Sequence, residues 1–420
     1  QTGGGSPVGC RRFGRAGLGL GEAGVQECGA GEPVAQGVGG SIRYGPGDVA
    51  GLAGTALLHA CLAEAEPGAA KTAAAHWAAA ARLLGNAPPD GIHTGPGALA
   101  ASLIIGTGYL PSHDPHQALL PRATAWLSAR AAALARHHHQ RAACADATPW
   151  AVYDAIKGLT GIGRVLLAAH SRGHRADAEP GLTAALTALT HMILTPRGSR
   201  PGWWLPAALH PPTVRVPASG AATTGLAHGI AGPLALLATA HRAGHTVPGQ
   251  PNAIRTAAQW LLAWQSPQHT WPPHISGHAL DHGPAEAIAP IAGRTTAWCY
   301  GTPGIATALT TAGHTLGLPA LNHTATEAMN ALAARPLEDW DTEGTALCHG
   351  SSGVLQCARR LSCHPVAERA AHGVLTSAMT SRPHGWLTGR AGSALALADL
   401  GGLLLASPLA DDWDCLILLS

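Results

Sequence analysis

The sequence predicts an all-α protein in which helical hairpins close into a ring. Three observations lead there. Runs of strong helix formers fill the chain beyond about residue 41, residues that favour strands are sparse, and a Gly-x-x-Gly step followed by a helix recurs seven times. "TALLHACLAEAEPGAAKTAAAHWAAAARLL" and "ATAWLSARAAALARHHHQRAA" are typical runs, rich in alanine and leucine, which lose little rotamer freedom in a helix.

Residues 1–41 stand apart. About one-third of this stretch is glycine and it carries no sustained helical or strand period, so ordering it would cost more backbone entropy than it recovers. It is expected to be a flexible extension ahead of one domain spanning 42–420. In chain order the repeats are then "GLAGTALL" at 51, "TGPGALAASL" at 94 with Thr94 in place of the first glycine, "GLTGIGRVLL" at 158 and "GIAGPLALLA" at 229. "GTPGIATAL" at 301, "GSSGVLQCA" at 350 and "GRAGSALALA" at 389 complete the series. Their second glycines are 39 to 72 residues apart, room in each interval for a hairpin and a variable loop. The first glycine is expected to allow a turn closed to other residues, and the second to let backbones approach closely. Seven such hairpins can close with inner helices covered by outer ones, which removes the exposed ends of a solenoid. An open helical-repeat array is the alternative.

Bulk properties exclude several function classes. Formal net charge is +2 and charged residues make up 12% of the chain, with no sustained basic run. A nucleic-acid or anionic-membrane surface is therefore not expected. No signal peptide and no apolar span of about 20 residues is present, so the expected location is the cytoplasm. Nine cysteines, an odd and scattered set, favour reduced thiols with a metal or catalytic role for some of them.

Three successive repeats carry reactive side chains just before the first glycine: His228 in "LAHG", Cys299 and Tyr300 in "WCYG", Cys348 and His349 in "LCHG". With the glycine turns at one end of a ring, these side chains converge on one rim. Two cysteines and one histidine suit zinc, and three protein ligands leave a fourth tetrahedral position for water or substrate. No close Cys-x-x-Cys pair of a closed structural site is present. Cys61, Cys144 and Cys415 read as small buried apolar residues. The run "HHHQ" at 137 to 140 reads as a solvated surface, because contiguous histidines on a helix point in different directions. Cys357, Cys363 and His364 are not expected to form a site.

In these motifs the chain resembles the lanthionine synthetase C-like (LanC) proteins, best represented by cyclases that make lanthionine rings in lantibiotics. "GLAHGIAG", "AWCYGTPG" and "LCHGSSG" carry the resemblance in that order, supported by "WAVYDAIKGLTGIG" at 150 to 163 and "WLTGRAGSALALADL" near the end. The resemblance implies an α/α toroid of seven inner and seven outer helices around one zinc ion, with Cys299, Cys348 and His349 as ligands. It further implies that a substrate cysteine adds as thiolate to dehydroalanine or dehydrobutyrine in a dehydrated precursor peptide carrying a leader sequence. An acid must then protonate the α-carbon, and His228 is the candidate. Asp154 matches the family's carboxylate that orients this histidine; capping a helix is the lesser alternative for an aspartate there. Tyr300 is the candidate donor to the developing oxyanion. Arg294, a second one, stands five residues before Cys299 where the family has its arginine four before. With no dehydratase region ahead of it, the chain resembles the stand-alone cyclases, which act beside a separate dehydratase. The same zinc site would serve a LanC-like protein that adds glutathione to dehydroamino acids, and a non-catalytic helical scaffold is the third reading.

Overall fold

Six of the seven glycine steps open a helix, and the first lies inside one. The computed structural model describes residues 48–85, 90–211, 214–287, 295–377, 385–404 and 412–419. The first two hairpins are α1 (Asp48–Cys61) with α2 (Ala69–Leu83) and α3 (Gly95–Gly106) with α4 (Leu120–Ala143). A short α5 (Trp150–Tyr153) precedes α6 (Leu159–Ser171) and α7 (Arg175–Leu194), which are followed by α8 (Ala231–Arg242) and α9 (Gln250–Ala263). After a short α10 (Gly277–His282) come α11 (Thr302–Leu316) with α12 (Pro319–Ala334), α13 (Ser351–Arg360) with α14 (His364–Thr376), and α15 (Arg390–Leu400).

The helices that follow the glycine steps form the inner layer. α1 packs on α3, α3 on α6, α6 on α8, α8 on α11, α11 on α13, α13 on α15, and α15 back on α1, so the ring is closed and the open array is excluded. α2, α4, α7, α9, α12 and α14 cover it from outside. The fold is thus an α/α toroid with seven inner helices. A seventh outer helix is not among the described residues.

Burial follows from these two positions. α3 and α6 are surrounded, and nearly every residue is buried. α9 buries Ala253, Ile254, Ala257, Ala258 and Leu261, the one-sided stripe of an outer helix. No described helix is long and apolar enough to cross a membrane.

The second glycine of the repeat is a steric requirement. A Cβ at Gly97, Gly161, Gly232, Gly304, Gly353 or Gly392 would overlap the carbonyl oxygen six residues earlier, that of Gly91, Ala155, Leu226, Trp298, Leu347 or Trp386. The first glycine departs from the expected reason. Gly158, Gly301, Gly350 and Gly389 have φ between −92° and −114° with extended ψ, which any residue adopts. What excludes a side chain at Gly158, Gly301 and Gly350 is overlap with backbone of the turn four to six residues earlier. Thr94 substitutes because the conformation there is also extended, φ −137°.

The turns are stitched to one another around the rim. Ile92 N–H donates to the Ile156 carbonyl, Ala155 to Ala227, Ala227 to Cys299 and Cys348 to Leu387, at 2.9 to 3.2 Å. The bore is filled from the other end by residues 412–419. Arg360, at the end of α13, donates to Asp414 at 2.6 and 2.7 Å, and the Trp413 N–H donates to Tyr109 Oη. The Trp298 indole, reaching down from the turn before α11, donates to the Ile417 carbonyl at 2.9 Å.

Candidate active site and metal centre

The turn register explains why reactive side chains meet. Cys299 and Cys348 lie five residues before the second glycines of their repeats, Gly304 and Gly353. Tyr300 and His349 lie four before, as does His228 relative to Gly232. Identical turns with neighbouring backbones bonded together put these positions side by side. The donor atoms of Cys299, Cys348 and His349 fall within 4.8 Å of one another, with Cys299 Sγ 2.9 Å from His349 Nδ1. Both thiols are buried. Two thiolates and an imidazole form a donor set that suits a borderline or soft ion such as zinc.

Beside this group lies a carboxylate–imidazole pair. Asp154, 1% exposed, accepts from His228 Nδ1 at 2.6 Å through Oδ2. Its Oδ1 accepts three backbone N–H groups, those of Ile156, Lys157 and Gly158. The cap role and the orienting geometry therefore coexist in one side chain. Trp150, at the start of α5, stacks on His228 with ring centroids 4.8 Å apart and planes 14° from parallel, which fixes the imidazole's orientation. The Tyr300 ring is 5.9 Å from that of His228. Arg294 lies outside the described residues. The segment just after it is anchored, since Asp341 accepts from the N–H groups of Thr295 and Thr296, and Arg335 donates to both hydroxyls.

Three histidines around this pair have no counterpart in the sequence reading. β1 (Ala221–Thr223) and β2 (His274–Ser276) form a two-stranded antiparallel sheet that pairs Thr223 with His274. This brings His274 to 6.2 Å from Trp150 and 5.9 Å from Tyr300, ring to ring, with His210 against Trp150 at 5.1 Å. His93 occupies the same register as His228, four residues before Gly97, and that register was its available signal. Burial pushes His93 down to about 3 and His274 down to about 4, and lowers His210 as well. These three rings are thus neutral at pH 7. Of the four histidines His93, His210, His228 and His274, only His228 has a carboxylate partner among the described residues.

Among the described residues, three further thiols behave as packing residues. Cys61, Cys357 and Cys415 are buried, and burial pushes the Cys357 thiol up to about 12 and that of Cys61 well above its ordinary range. Cys144, expected inside, is exposed at the C-terminal end of α4. The solvated reading of the histidine run also fails in part. His138 is buried, hydrogen-bonded to Thr148 and to His191 of α7, because its side of α4 faces that outer neighbour.

Similarity to known proteins agrees with this architecture. No curated protein sequence matches the chain. Among solved structures, a nisin cyclase superposes with a TM-score of 0.72 at 18% identity, covering 90% of this chain and 93% of that one. Residues 49–402 match the model of the family described as lanthionine synthetase C-like protein. With that match extending from α1 through α15, the chain belongs to the lanthionine synthetase C-like family.

Proposed function

We infer that the protein is a zinc-dependent cyclase that forms lanthionine or methyllanthionine rings in a dehydrated precursor peptide, working beside a separate dehydratase. One observation carries the reading: a Cys₂His donor set stands next to a histidine backed by a buried carboxylate, at the rim of a toroid. The cyclase match among solved structures supports a peptide as the substrate.

A zinc ion held by Cys299, Cys348 and His349 would supply the acidity that turns a substrate thiol into a thiolate at neutral pH. The sulfur then bonds to the β-carbon of the dehydroamino acid while the C=C electron pair moves toward the α-carbon and its carbonyl, giving an enolate. His228, as imidazolium, delivers a proton to the α-carbon, and the proton lost by the thiol balances it. Asp154 holds the His228 Nδ1 proton and supports the positive charge, and Trp150 keeps the ring plane in position. Tyr300 donates to the enolate oxygen, a contribution of roughly 3 kcal/mol for one well-placed donor. Arg294 is assigned the same task. The neutral rings of His93, His210 and His274 add no competing positive charge.

The test is incubation with a dehydrated precursor, thiol alkylation and mass spectrometry. The reading predicts that cysteines become protected from alkylation at unchanged peptide mass. If every cysteine remains alkylatable, the cyclase assignment falls. Consumption of glutathione with a matching mass gain on the dehydropeptide would move the assignment to intermolecular thiol addition.

A further inference from the structure

The rim opposite the candidate active site carries another cluster of donor atoms. His170 is in the last turn of α6, Glu179 is in the second turn of α7, and His245 follows α8. Their donor atoms lie within 4.8 Å of one another. Glu179 Oε2 sits 3.1 Å from His170 Nε2 and 3.7 Å from His245 Nδ1, and the two imidazole rings meet edge to face with centroids 4.3 Å apart. α6 has 13 residues, so at 1.5 Å per residue this cluster is about 20 Å from Asp154.

Local structure aims all three groups. Gly244, at φ 86°, reverses the chain after α8, and the His245 N–H closes the turn on the Ala240 carbonyl at 2.9 Å. The Thr183 hydroxyl, one turn along α7, donates to Glu179 Oε1 at 3.3 Å and leaves Oε2 facing the imidazoles. The two histidine side chains are 18% and 15% exposed and the glutamate 52%, so the cluster is walled on the histidine side and open on the other.

A His170–Glu179 ion pair at 3.1 Å accounts for only part of this arrangement. One carboxylate oxygen faces two imidazole nitrogens, and the 3.7 Å separation from His245 is too long for a hydrogen bond. Four ligands at about 2.0 to 2.2 Å from a tetrahedral ion lie roughly 3.3 to 3.6 Å from one another, close to the separations found here. Arg175, one turn before Glu179, is the opposing charge. The other histidine cluster, His138, His139 and His191, holds rings 5.2 Å apart but has no carboxylate among its members and lies near Arg197.

We propose that His170, Glu179 and His245 form a second divalent-metal site, of the two-imidazole, one-carboxylate class that zinc favours, with one position left to water. Its ligands come from α6, α7 and the α8–α9 connection, so a bound ion joins the third glycine-step hairpin to the fourth at the far rim. The site is independent of the thiolate-containing centre and of the proposed cyclisation.

The test is loading of the full chain with excess zinc chloride, desalting and elemental analysis, in parallel for wild type, Glu179→Gln, His245→Ala and His191→Ala. Wild type and His191→Ala are expected to retain one zinc more per chain than Glu179→Gln and His245→Ala. Titration of Thr183→Val should show that site weakened by about tenfold, the lower end of what losing a ligand's hydrogen-bond partner costs. Equal zinc in wild type, Glu179→Gln and His245→Ala would overturn the proposal, as would loss of the extra equivalent in His191→Ala. None of these substitutions touches Cys299, Cys348, His349 or His228. Failure here leaves the cyclase reading standing, and failure of cyclisation leaves this zinc count unchanged.

Discussion

Replacing Asp154 with asparagine separates what the residue does for the fold from what it does for the chemistry. Oδ1 accepts three backbone N–H groups at 2.7 to 3.1 Å, while Oδ2 accepts from His228. Asparagine has one carbonyl oxygen, and only that oxygen can face three donors, so its NH₂ must turn toward His228. There it donates to Nδ1, shifts the ring proton to Nε2 and removes the carboxylate that supports an imidazolium. A hydrogen bond to a charged group contributes roughly 1.5–3 kcal/mol, or about 10- to 150-fold in rate. The analogous tautomer error in hydrolase triads costs about 10⁴. Cyclisation by Asp154→Asn, followed by alkylation and mass spectrometry, should therefore slow by about 10 to 10⁴. Thermal and denaturant stability should fall far less than in Asp154→Ala, since all three N–H bonds survive on the amide oxygen. Asp154→Ala strands the three donors at about 1–3 kcal/mol each, for roughly 3–9 kcal/mol, comparable with a domain's whole stability. A wild-type rate in the asparagine variant would refute the reasoning, and so would a stability loss as large as that of alanine.

Further consequences concern the scaffold. Gly304→Ala or Gly353→Ala drives a methyl group into the Trp298 or Leu347 carbonyl and should cost about 1–3 kcal/mol in denaturant unfolding, whereas Gly385→Ala, where a Cβ meets open space, should be silent. Trp298→Phe leaves the Ile417 carbonyl without its indole donor and should lose about 1–3 kcal/mol; unchanged stability would show that the chain end does not fill the bore as described. The lowered pKa values of His93 and His274 make stability complete above about pH 6.5 and progressively lost as pH falls toward 3 to 4, because the unfolded chain binds those protons first. At pH 5 each histidine should cost about 2 kcal/mol, at about 1.4 kcal/mol per pH unit. His93→Phe should flatten the measured slope by one proton, and an unchanged slope would contradict the buried neutral state.

Features repeated along the chain were legible in the sequence, and features formed between distant segments were not. The second glycine recurs because one turn is built six times, so its steric demand leaves the same mark in each of those copies. Cys299, Cys348 and His349 stood out because they share that register. The first glycine was legible as a position, but its cause was misassigned, since close backbone approach and left-handed geometry select the same residue. His93 shared the register but belongs to a copy in which Thr94 hides the motif. His274 and Thr223 meet through two three-residue strands, too short to give a period, and His210 arrives from a loop. His138 looked solvated because its partners, Thr148 and His191, lie 10 and 53 residues away. Likewise nothing local in "DDWDCLILLS" states that Asp414 pairs with Arg360 inside the bore.

X-ray absorption at the zinc edge tests most directly whether Cys299, Cys348 and His349 act together as one open zinc site. Protein carrying one equivalent of zinc should show two sulfur neighbours at roughly 2.3 Å and lighter neighbours at roughly 2.0–2.1 Å, with one sulfur lost in Cys299→Ala. A shell without sulfur, or one unchanged by Cys299→Ala, would contradict it.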